Sequence, residues 1–111
     1  MDQPTLFETK TQTVEFESLA LYALGEFQSR GKVLAERQLA LDRLRGAFRR
    51  AAEKFRLPEL SDEKIAETLE KLGARVVRVP NFVAKHPFRV TVQTDLAERA
   101  AEFFHRIKND D

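Results

Sequence analysis

From Val14 to Phe27 the apolar residues Phe16, Leu19, Ala20, Ala23, Leu24 and Phe27 recur at steps of three and four. That spacing gathers them on one stripe and predicts a helix over about Val14 to Ser29 with a core-facing side. Arg30-Gly31-Lys32 then offers a break. Leu34, Leu41, Phe48 and Phe55 follow at intervals of seven, with Leu44 and Ala51 between them. This repeat predicts a long second helix from about Val33 to Phe55, packed on the first as a helical hairpin. Arg37 interrupts the seam near its start, which argues against an extended coiled coil.

The third helix carries its own punctuation. Ser61 is placed as an N-cap, Leu60 and Ile65 have the spacing of a hydrophobic staple, and Asp62 and Glu63 suit a helix N-terminus. Gly73 stands where a left-handed C-cap is wanted, so the helix is expected from Asp62 to Leu72. Strands are expected over Arg75 to Val79 and Phe88 to Gln93. In the second, Phe88, Val90 and Val92 alternate with Arg89, Thr91 and Gln93, which puts one side in the core and the other toward water. A last helix is expected from Asp95, with Glu98 as a capping-box partner and Leu96, Ala100, Phe103, Phe104 and Ile107 on its buried side.

These elements make an α+β fold, mostly helical, with a helical hairpin, a third helix, one antiparallel β-hairpin and a C-terminal helix. Residues 1–13 lack a periodic apolar face and are expected as a flexible leader, and 14–111 as one compact domain. Three helices followed by a hairpin over residues 15–94 resemble the order of winged-helix domains, in which the hairpin wing follows the recognition helix. In that family the recognition helix enters a DNA groove. Here the corresponding helix carries Asp62, Glu63, Glu67 and Glu70, and carboxylates there would repel phosphate.

Composition narrows the function classes. With 42% hydrophobic and 33% charged residues the chain is neither disordered nor membrane-spanning in character. Absence of cysteine excludes disulfides, thiolate catalysis and zinc sites built on sulfur. The beginning of the chain lacks a secretory signal, so a cytoplasmic location is expected. A net charge of +1 conceals alternating blocks: −4 over 1–29, +6 over 30–56, −3 over 57–72, +4 over 73–94 and −2 over 95–111. Between Gly73 and Thr94 there is no acidic residue at all. A nearly neutral protein with this layout can still present one electropositive face. The candidate nucleic-acid contacts are therefore Arg75, Arg78, Lys85 and Arg89 of the hairpin, assisted by Arg43, Arg50 and Lys54 of the second helix.

Two further segments are candidates for binding a partner. Phe82 lies in the hairpin connection, outside either strand, where it can act as an exposed anchor stacking on a base or filling a partner's pocket. Gln3-Pro4-Thr5-Leu6-Phe7 resembles the short peptide by which bacterial replication and repair proteins bind the sliding clamp. The resemblance implies a polar subsite for Gln3 and a hydrophobic pocket for Leu6 and Phe7.

No catalytic signature emerges. Glu102 and His105 have Glu-x-x-His spacing, but a carboxylate-bridged metal site needs the motif twice with two further carboxylates. There is no glycine-rich phosphate loop and no serine with a plausible histidine base. The expectation is a small non-enzymatic binding protein without cofactor or metal, nucleic-acid-associated through the basic hairpin and the arginine-rich helix. The alternative is a protein-interaction or homodimerisation module.

Overall fold

The structure, a computed structural model, describes residues 4–80, 82 and 87–109. Its elements are α1 (Pro4–Ser29), β1 (Gln38–Ala40), a 3-10 turn η1 (Leu41–Leu44), α2 (Arg45–Phe55), α3 (Asp62–Lys71), β2 (Arg75–Arg78), β3 (Phe88–Thr91) and α4 (Thr94–Asn109). Four helices and a three-stranded antiparallel sheet of order β1-β3-β2 make the expected mostly helical α+β fold. The hairpin follows α3 directly.

The apolar stripe of α1 is the spine of the core: Leu19, Ala20, Ala23 and Leu24 are fully buried. It packs along α4, against α2, and against α3. Phe88, Val90 and Val92 point inward as their alternation requires, as do Leu96, Ala100 and Phe104 of α4. Gly25 is the close-approach point of α1 and α4, because a Cβ there would collide with the Phe104 Cβ and lie 2.5 Å from the Ala100 carbonyl oxygen. Gln28 Nε2 adds a 2.9 Å hydrogen bond to the Ala97 carbonyl at the same interface. α1 begins at Pro4 rather than at Val14.

Local signals around α3 are realised in detail. The Ser61 hydroxyl accepts from the Lys64 amide at 3.1 Å, Ile65 is buried, and Gly73 takes a positive φ of 104°. The second expected helix is a correction. Only its C-terminal half is α-helical, as α2, while residues 33–40 are extended or turned and Gln38–Ala40 form β1. Glu36 adopts a left-handed φ of 61°, which ends any helical path through this segment. Its amide donates to the Val92 carbonyl at 2.7 Å, and Leu39 pairs with Val90.

The seven-residue repeat was compatible with both outcomes. Leu34 and Leu41 are each 2% exposed without belonging to an α-helix. What favours the strand is β3: two strands alone are marginal, and the 1% exposed Val90 needs partners for its backbone on both sides. The expected two-stranded hairpin is accordingly part of a three-stranded sheet. Arg37, the interruption in the repeat, is exposed beside it.

Candidate nucleic-acid interface

Strand alternation and register sort the hairpin arginines onto two faces. Arg75 pairs with Thr91 and Val77 with Arg89, while Val76 pairs with Val90 and Arg78 with Phe88. On the far side of β3, Gln38 pairs with Thr91 and Ala40 with Arg89. Since directly opposed residues share a face, Gln38, Ala40, Arg89, Thr91, Arg75 and Val77 form the outer face, and Leu39, Val90, Val76, Phe88 and Arg78 the face turned to the helices. The outer six include two arginines and no carboxylate. Gln38, Arg75 and Val77 are exposed, and Ala40, Arg89 and Thr91 are half-buried. Among the described residues Arg75 makes no ion pair.

Arg78 is therefore separated from Arg75 and Arg89. Its guanidinium lies 4.6 Å from the Phe88 ring centroid and 3.7 Å from a carboxylate oxygen of Glu63, at the start of α3. A cleft of about 440 Å³ opens here, lined by Arg45, Asp62, Glu63, Arg78 and Phe88 among others. Each of its arginines faces a carboxylate, Arg45 pairing with Asp62 at 3.5 Å. The cleft is thus internally compensated and offers an anion little net attraction.

The arginines of the second helical segment have separate assignments. Arg50 of α2 donates to Glu26 of α1 through Nε at 2.7 Å and Nη2 at 3.0 Å, and Arg30 Nε donates to the same carboxylate at 2.9 Å. Glu26 is only 9% exposed. Burial pushes its pKa up, but hydrogen bonds and charge from Arg50 and Arg30 together outweigh that and hold the carboxyl below its ordinary value of 4.5. The Glu26 hydrogen bond raises Arg50 in turn. Arg50 is consequently turned to α1 and holds two helices together. Arg43 is exposed in η1, and Lys54 is half-buried near the end of α2.

Lys85 and Gln3 lie outside the described residues, as do the side chains of Leu6 and Phe7, whose backbone belongs to α1. Phe82 is 90% exposed. The outer-face residues Gln38 and Ala40 were missed from sequence, because the segment reads as helix; the interruption at Arg37 was the one signal against it. On α3 the exposed Glu63, Glu67 and Glu70 keep the helix acidic, with Lys64 and Lys71 each pairing with Glu67. Glu102 and His105 are both exposed, and the described residues contain no group of three or more potential metal ligands. No helix among the described residues is long and apolar enough to cross a membrane. Compared with protein-family models, curated proteins and solved structures, the chain matches none.

Proposed function

We propose that this chain is a binding protein that contacts nucleic-acid phosphates through the outer face of its sheet. The observation that carries the reading is the register that sets Arg75 and Arg89 diagonally across the β2–β3 pair, on a face without carboxylates. Guanidinium groups are suited to phosphate because they are permanently charged and donate in a planar fork. Gln38 and Thr91 supply neutral donors beside them, of the kind that fix a backbone without reading its sequence. α3 contributes repulsion instead, which directs a polyanion away from that helix and toward the sheet. Arg50 has a structural role in this arrangement, and Arg43 is exposed in η1.

Self-association through the hairpin edge is disfavoured by the same strand. The free edge of β2 carries Arg75 on one face and Arg78 on the other, so a second copy paired alongside would add its own two cations to the same faces. A positive edge of this kind resists strand addition by its own kind.

Fluorescence-anisotropy titration against short labelled duplex DNA, single-stranded DNA and RNA at two salt concentrations tests the proposal. Binding that weakens steeply with salt is expected, because neutralising phosphates releases counterions. Arg75→Glu with Arg89→Glu should abolish it. Binding indifferent to salt, or undiminished in that double variant, would overturn the phosphate reading.

A further inference from the structure

We propose that Phe82 is a base-stacking residue, so that the preferred ligand is single-stranded nucleic acid or a site with unpaired bases; this rests on the phosphate-binding reading of the same hairpin. Phe82 is 90% exposed. Every other phenylalanine whose side chain is described, at 16, 27, 48, 55, 88, 103 and 104, is buried or half-buried. The fold has a core able to take aromatic rings and leaves this one in water, where its apolar faces remain available to a partner.

Charge selects the class of partner. Phe82 lies within the Gly73 to Thr94 stretch that contains no Asp or Glu, so a polyanion can approach the ring without repulsion from its own ribbon. Along that ribbon Arg89 faces Val77 and Arg75 faces Thr91, which makes the two arginines diagonal neighbours, roughly 7–8 Å apart. They can engage one strand's backbone at two points.

Base pairing decides between the forms of nucleic acid. In a duplex the bases cover each other's faces and offer only their edges in the grooves. An isolated aromatic ring finds a base face where the strand is unpaired, and such stacking tolerates any base because each has a π-face. Preference is therefore set by strand state, with little dependence on base sequence.

The chain contains no tryptophan, so Phe82→Trp installs a single indole, excited selectively over the one tyrosine, at the proposed contact. Its emission should be quenched by a single-stranded oligonucleotide and much less by the same sequence annealed as a duplex. Phe82→Ala should weaken single-strand binding about tenfold to a hundredfold, the usual loss for one stacked base, while leaving the salt dependence as in the wild type. Salt-dependent binding that Phe82→Ala does not change, with Phe82→Trp unquenched, would overturn the stacking role and leave the phosphate contacts standing. If the wild type binds neither form at low salt, both readings fail together.

Discussion

The Arg50 guanidinium donates to both carboxylate oxygens of Glu26, at 2.7 and 3.0 Å, and so ties α2 to α1 at a carboxylate that is only 9% exposed. Removing the arginine leaves that carboxylate with Arg30 as its remaining ion-pair partner. Arg50→Ala should therefore cost about 1–2 kcal/mol, less than the 3–5 kcal/mol of a fully buried pair because Arg50 itself is half-exposed and Arg30 remains. Urea unfolding at neutral pH measures this loss.

The same carboxylate gives a pH signature. Its folded-state pKa is lowered below 4.5, so the stabilisation is fully present above that value and is lost as pH falls through the lower folded-state pKa. Glu26→Gln should be less stable than wild type at pH 7, and the gap should narrow progressively below about pH 4.5, where wild type takes up the proton. Parallel urea titrations across that range check it; a gap independent of pH would contradict the ion-pair account.

At the α1–α4 crossing, Gly25→Ala forces a methyl into the Ala100 carbonyl and the Phe104 Cβ. Backbone must move, and a loss of about 2–3 kcal/mol is expected despite the better helix propensity of alanine. Gly46→Ala is the matched control, since a Cβ there meets only the flexible end of Arg50, at 3.4 Å. That variant should be neutral or up to about 1 kcal/mol more stable. Thermal unfolding of the two variants side by side tests the contrast.

Glu36 reaches from the left-handed turn before β1 to the start of α4. Its Oε2 accepts from the Thr94 amide at 2.7 Å and from the Thr94 hydroxyl at 3.0 Å, a cap supplied 58 residues away in sequence. Glu36→Ala should cost about 1 kcal/mol through loss of the cap. Glu36→Gly loses the same cap but relieves the positive φ of 61°, so it should be the more stable of the two. The opposite order would show that the turn conformation carries no strain.

Charge reversal on the outer sheet face should separate binding from folding. Arg75 is exposed and has no ion pair among the described residues, and Arg89 is half-buried on the same face. Arg75→Glu alone should keep the wild-type melting temperature within the scatter of a surface substitution, about 0.5 kcal/mol, while weakening nucleic-acid binding and reducing its salt slope. Anisotropy and thermal melts on the same preparation distinguish the two effects.

Sequence by itself determined the elements whose signals are local. The stripe from Phe16 to Phe27, the Ser61 cap with its Ile65 staple, the Gly73 turn and the alternation of Phe88, Val90 and Val92 each lie within a few residues, where propensity and periodicity act directly. The acid-free hairpin was legible for the same reason. Tertiary structure decided the segment from Val33 to Leu44, because Leu34 and Leu41 are buried equally well by a helix or by an extended chain. The choice fell to Leu39 pairing with Val90, a contact across the whole middle of the chain that no local window contains. It also divided the arginines. Arg75 and Arg89 share the open face, Arg78 turns to Phe88 and Glu63, and Arg50 turns to Glu26. A charge count cannot make that division, since the fate of each guanidinium depends on which carboxylate or ring the fold brings within a few ångströms of it.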